Sequence, residues 1–153
     1  MRRRLKDAAA VFEEVVTEGK KDKHIDALLV EEAIKDGWIE VKNIPVLSKL
    51  EEFGIDKGEA EAISLALNLK APLLLDQTHA RVAAKAFGVK PSGTLFVLLK
   101  ALKQKQISFD EFIECLQQLI AVGFRMQEEV YLEAIRKAKE IANATEKTKE
   151  KAD

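Results

Sequence analysis

The residues of this chain best placed to do chemistry are carboxylates. Glu13 or Glu14 comes early in the sequence, Glu59 opens an apolar helix, and Asp76 follows the run Pro72-Leu73-Leu74-Leu75. In open α/β sheets, ligands and catalytic groups gather beyond the carboxyl ends of strands, which is where Asp76 stands. Carboxylate oxygens are hard donors that suit Mg2+ or Mn2+, and such ions activate water and neutralise phosphate charge in hydrolysis. Competing chemistries lack their residues. None of the seven glycines belongs to a phosphate-cradling loop of the dinucleotide or Walker type. One cysteine and two separated histidines, His24 and His79, supply no zinc ligand set. No serine or cysteine stands in the setting of a catalytic triad.

These carboxylates need elements to position them, and the stretch Asp56 to Asp76, DKGEAEAISLALNLKAPLLLD, supplies a helix followed by a leucine-rich strand. That is the second half of a β-α-β unit. Within the helix, Lys57, Glu61, Ser64 and Asn68 recur as one polar stripe, so Glu61 is expected to face solvent. Glu59 is in line with Ala62, Ile63 and Ala66, which turns it towards the packed side near the helix N-terminus. An ordinary role is equally open to it, because Asp56 and Glu59 fit a capping box that satisfies backbone donors.

The other elements follow from periodicity and stop signals. A helix is expected from about Lys6 to Glu18, stopped at Gly19, with Glu13 and Glu14 on opposite flanks of its apolar stripe. Spacing alone leaves open which of the two faces a site. After the solvated run Lys20 to Lys23 comes a helix from Ile25 to Lys35, stopped at Gly37, with Leu28, Leu29 and Ala33 inward. Trp38 to Lys42 alternates as a strand, and Val46 to Phe53 forms a short helix. Later helices are expected up to Phe87 (capped by Thr78), over Leu95 to Lys103 (capped by Thr94), Phe109 to Ala121 (with Ser108 and Glu111 as a capping box) and Glu128 to about Ala142, with a short strand at Val89 to Pro91. No strand is evident ahead of the first helix. Helices alternating with short strands favour a three-layer α/β/α fold with a short parallel sheet. One domain over residues 1–142 and a flexible charged tail over 143–153 account for the whole length.

Composition narrows the class further. A hydrophobic fraction of 47%, a charged fraction of 33% and a net charge of −1 are those of a globular protein with no general electrostatic pull on nucleic acid, so such contact must be local. The Lys/Glu richness suits a heat-adapted source. A single cysteine, Cys115, in line with Phe112, Leu116 and Leu119, reads as packed, and its solitude points to an intracellular protein. The basic start is followed too soon by Glu13 and Glu14 for a secretory signal, and no apolar run suits a membrane span. A cytoplasmic location is the expectation.

Taken in order, V-F-E-E-V-V at Val11 to Val16, D-K-G-E-A-E-A-I at Asp56 to Ile63, L-L-L-D at Leu73 to Asp76, H-A-R-V-A at His79 to Ala83, S-G-T-L at Ser92 to Leu95, and G-F-R-M with E-E-V-Y at Gly123 to Tyr131 carry a resemblance. From Val11 to about Ala138 the chain resembles the PIN-domain superfamily, in particular a branch of toxin-like, nucleic-acid-binding proteins. The resemblance implies a Rossmann-like parallel sheet between helices, and an acidic cluster that binds Mg2+ or Mn2+ to cleave single-stranded RNA. It places the acidic positions at Glu14, Glu59 and Asp76, and it alone selects Glu14 over Glu13. Gly93 and Thr94, at a helix start, could offer backbone donors to a phosphate.

The chain departs from the family pattern in two places. Members begin with a strand bearing an aspartate, whereas here no such strand is evident and Asp7 is expected within or just before a helix. Gln77 stands where relatives often carry a second acidic residue. Two functions follow as expectations: a metal-dependent ribonuclease, as the toxin of a toxin–antitoxin pair with an antitoxin-like partner, or a catalytically incomplete module that binds nucleic acid or a partner. A third reading has Met1 as an internal start of a longer protein. A homodimer is expected from the resemblance and from a sheet edge left open.

Overall fold

The computed structural model describes residues 4–150, with side chains described for residues 4–144. Two compact units, Met1–Ser92 and Gly93–Asp153, make up the chain. The first contains β1 (Leu5–Ala8), α1 (Ala9–Phe12), a wider π segment (Glu13–Glu18), α2 (Gly19–Lys21), α3 (Ile25–Lys35), β2 (Ile39–Lys42), α4 (Ser48–Glu51), α5 (Lys57–Leu69), β3 (Leu73–Leu74), α6 (Thr78–Ala86) and β4 (Pro91–Ser92). Both strand pairs are parallel, β1 with β2 from Leu5 opposite Ile39 to Ala8 opposite Lys42, and β3 with β4 from Leu73 opposite Pro91. Parallel partners need crossover connections, and helices supply them here.

No ladder joins the two pairs among the described residues. Each pair therefore keeps an unpaired edge, although α5 packs against both β1 and β3. The core between α5, α6 and the second pair gathers Leu50, Ile63, Leu73 and Val89 with Ala60, Ala66, Ala83 and Ala84. Alanines on facing helices let their backbones approach, so larger residues fill the space around them. The mixed α/β class with short parallel strands is the one expected from the alternation of elements.

Four details differ from expectation, each because a non-local contact overrides a local pattern. A strand does precede the first helix: Leu5–Ala8 is extended because it pairs with Ile39–Lys42, more than thirty residues away, which helical periodicity around Val11 and Val15 could not reveal. Asp7 consequently lies in a strand and not in a helix. Gly19 is no stop signal. It is buried inside the helical run, and a Cβ there would stand 3.1 Å from the Ala27 Cβ, so it is the close-approach point for α3. Because Ala27 is the residue that reaches this contact, Leu28 and Leu29 are turned outward.

The second unit comprises α7 (Thr94–Lys103), α8 (Phe109–Ala121) and α9 (Glu128–Glu150) around Leu102, Phe112, Leu116, Ala134 and Ala138. Gly93, rather than Thr94, takes the cap position of α7. At α8 the capping box forms as its sequence dictates: Ser108 N donates to Glu111 Oε2 at 2.7 Å, and Glu111 N to Ser108 Oγ at 3.2 Å. α9 continues to Glu150, past the expected end at Ala142, as its Ala, Glu and Lys content favours. Residues 151–153 of the expected tail lie outside the described residues. Among the described residues no helix is long and apolar enough to cross a membrane.

Candidate acidic site

Glu59 sits in the first turn of α5, where its Oε2 accepts the Asp56 backbone N–H at 3.2 Å. The capping role anticipated from its spacing is thus real. Its environment adds something a cap does not need. Burial raises the Glu59 pKa, and the negative charges of Asp56 and Glu14 raise it further, against the bond from Asp56 N–H and the nearby His79. Glu59 and Glu14 are therefore electrostatic neighbours although they stand 45 positions apart in the chain.

Glu14 reaches that position from the π segment. A wider turn inserts one residue into the helical repeat, with Gly19 N–H bonding back to the Glu14 carbonyl, and such turns re-aim side chains. The Glu14 Oε2 lies 3.3 Å from where a Cβ of Gly58 would be, with Val11 Cγ2 at the same distance. Absence of a side chain at Gly58 thus leaves the space that brings the two glutamates together. Glu13 is otherwise engaged, its Oε2 accepting from Thr17 Oγ1 at 3.1 Å. Gly58→Ala is expected to change the unfolding free energy by less than about 1 kcal/mol, because the helix-propensity gain offsets a contact that the flexible Glu14 end can yield to. The displacement of Glu14 should nevertheless appear as a lower Glu59 pKa, measurable by NMR titration of the side-chain carboxyl carbon.

Asp76 is exposed and directly follows a strand end that is fixed on both sides. Leu75 N donates to the Ser92 carbonyl at 2.7 Å, and the Leu75 carbonyl accepts from Arg81 Nη1 at 2.7 Å. His79, in the first turn of the next helix, is the residue that connects this region electrostatically to Glu59. Among the described residues, no three His, Cys, Asp or Glu side chains form a group arranged to hold a metal ion. The donor chemistry is still that of a hydrated divalent ion, since Mg2+ commonly uses one or two carboxylates and completes its shell with water and substrate phosphate. Glu14 and Glu59 are the two carboxylates of the expected set that lie close enough to affect one another's charge.

Asp7 has a different use. Leu5 N donates to the Trp38 carbonyl, so by strand alternation the Ala8 N–H points to the edge of β1 that faces away from β2. There Asp7 Oδ1 accepts it at 3.0 Å, the side chain substituting for a missing strand. Burial raises the Asp7 pKa from the usual 3.8, against the lowering effect of that bond. A raised folded-state pKa means that the native protein binds the proton more tightly than the unfolded chain, so this group costs stability as pH rises through the two values. Asp7→Asn keeps an accepting oxygen and removes the charge. It is expected to raise the melting temperature at pH 7 and to have no such advantage near pH 3, as thermal melts across that range will show.

Glu61 is the residue that sequence reasoning misplaced. Expected to face solvent, it is only 6% exposed, and its Oε2 accepts the Ala10 N–H at 2.7 Å. Ala8, the cap residue of α1, has no side chain able to bond the first-turn donors, so a carboxylate from α5 caps that helix from 51 positions away. Ser64 on the same stripe is also buried. It donates to the Ala60 carbonyl at 2.8 Å and accepts from Leu47 N at 3.2 Å. The available signal was the composition of α5, which is apolar around most of its circumference, as in a helix packed on several sides.

A protein-family model described as a PIN domain matches residues 6–140. Comparison with curated proteins and with solved structures gives no match. The matched span of a 153-residue chain takes in both parallel strand pairs apart from Leu5, the π segment with Glu14, α5 with Glu59 and the strand end with Asp76. By this match across most of its length, the chain belongs to the PIN-domain family.

Proposed function

We propose that this PIN-domain chain is a divalent-metal-dependent endoribonuclease for single-stranded RNA, acting as the toxin of a cytoplasmic toxin–antitoxin pair and as a homodimer. Family membership supports a nuclease-like module, and PIN domains generally use divalent metals. The observation that carries the finer reading is the pairing of Glu14 with Glu59, whose charges disfavour each other at a partly buried position. A cation relieves that repulsion and gains from it. In this reading Glu14, Glu59 and Asp76 would hold Mg2+ or Mn2+, which supplies charge neutralisation at the phosphate and a water of lowered pKa. Glu59 keeps one oxygen on the helix cap, and Asp76 presents its carboxylate from a pinned strand end. Residues 1–142 act as one domain.

A second reading, a catalytically incomplete module that binds nucleic acid or a partner, is favoured by the absence among the described residues of a three-ligand metal group. The two are separated by incubating the purified chain with end-labelled single-stranded RNA and Mn2+, beside the same reaction in chelator. Cleavage that requires the ion supports the nuclease. Intact RNA under every condition, with retained RNA binding, selects the incomplete module.

A further inference from the structure

α3 exposes the apolar face that an amphipathic helix normally buries. Ile25, Leu28 and Leu29 are 77%, 54% and 63% exposed, at the i, i+3, i+4 spacing of a single ridge. The cause is the Gly19 contact: α3 is drawn onto the helix before it through Ala27, its one buried residue among those described, and the larger side chains are left outside. Scattered exposed leucines need no explanation, but a contiguous apolar ridge rimmed by charge marks an interaction surface.

The end of the ridge beside Ile25 is basic, whereas α3 itself carries Asp26, Glu31 and Glu32. A surface cavity of about 300 Å³ adjoins the ridge, lined by Lys20, Lys23, His24, Ile25 and Leu28, with no carboxylate among its lining residues. Lys20 is already paired with Glu31 at 2.8 Å. Lys23 and His24 form no ion pair among the described residues. The turn carrying them is fixed, since Lys23 N donates to the Lys20 carbonyl at 3.2 Å and His24 N to the Gly19 carbonyl at 2.9 Å. Lys23 holds a φ of 61°, a conformation that side-chain-bearing residues adopt only where the surrounding structure enforces it.

We propose that this face of α3 docks an acidic amphipathic helix of a partner protein. Its apolar side packs on Ile25, Leu28 and Leu29, and a carboxylate at one end reaches the cavity to pair with Lys23, beside His24. A helical partner fits because a ridge at i, i+3, i+4 packs into the groove of another helix. Single-stranded nucleic acid fits less well, since the cavity lining offers no Phe, Tyr or Trp ring for a base to stack on. The surface does not depend on whether the acidic site cleaves RNA.

The test uses the full chain and a fluorescein-labelled synthetic helix of about 18 residues, with leucines at a, d and e positions and glutamates elsewhere. Binding is read by fluorescence anisotropy, with a scrambled peptide of the same composition as control. The wild-type chain is expected to bind the designed helix and not the scramble. Leu29→Glu and Lys23→Glu should each weaken binding at least 10-fold, with circular dichroism unchanged because both side chains lie at the surface. A peptide with lysines replacing the glutamates should restore binding to Lys23→Glu. No binding by the wild type, equal binding by the variants, or equal binding of the scramble overturns the proposal. So does sedimentation showing a wild-type dimer that Leu29→Glu dissociates, since the occupant is then a second copy.

Discussion

Asp76→Asn is expected to lower the rate of single-stranded RNA cleavage in Mn2+ by about 100-fold or more, the scale seen when one preorganised electrostatic contact to a developing charge is removed. Asparagine preserves the shape of the side chain and an accepting oxygen, and removes the charge that a divalent ion needs. The fold should be unaffected, because Asp76 is exposed and the strand before it is fixed through Leu75, whose N–H and carbonyl bond Ser92 and Arg81. A gel assay over a time course, with melting temperature as control, separates loss of chemistry from loss of structure. Cleavage by the variant at the wild-type rate would remove Asp76 from the site.

The second large effect is on stability. Glu61→Ala should lower the unfolding free energy by about 2–3 kcal/mol, the range for leaving a buried donor unsatisfied when its partner was charged. The loss comes from the Ala10 N–H, which has no other acceptor in its cap residue, and from the favourable placement of a carboxylate at a helix N-terminus. The ion pair of Glu61 with Lys57, at 3.8 Å, contributes little because the lysine is solvated. Glu61→Gln keeps the acceptor and loses the charge, so its cost should be about 1 kcal/mol. Urea denaturation reads both, and the ordering Ala below Gln below wild type is the signature of a cap. If alanine costs nothing, the buried bond is not what holds α1 against α5.

Local chemistry made much of the fold legible. The Ser108–Glu111 box, the glycine after α3 and the leucine run before Asp76 are signals that lie within a few residues of what they determine, and the structure has each element in place. What local chemistry does not carry is pairing across the chain. The sequence Leu5-Lys6-Asp7-Ala8 becomes a strand only because Ile39–Lys42 lies beside it, and Glu61 becomes buried only because a capless helix from the N-terminus arrives there. In the same way, Leu28 and Leu29 face outward because a glycine and an alanine set the contact between neighbouring helices.

The acidic site divides along the same line. Glu59 was recognisable both as a cap and as a packed-face carboxylate, and it is both a cap and partly buried. The choice between Glu13 and Glu14 was not open to spacing, because it depends on a π turn and on the missing side chain of Gly58. Glutamine can replace glutamate in a capping box, so Glu59→Gln removes charge from the site while leaving α5 capped. That makes it the cleanest probe of the pair.

Titration of Mn2+ into the purified chain, followed by calorimetry in two buffers of different ionisation enthalpy, measures ion binding without reference to catalysis. The wild type should bind Mn2+ with release of a proton fraction that grows as pH falls towards the raised pKa of Glu59. The double variant Glu14→Gln with Glu59→Gln should bind at least 10-fold more weakly, with that proton release gone. Equal affinity in the two proteins, or no Mn2+ uptake by the wild type, would contradict the account of Glu14 and Glu59 as one cation site.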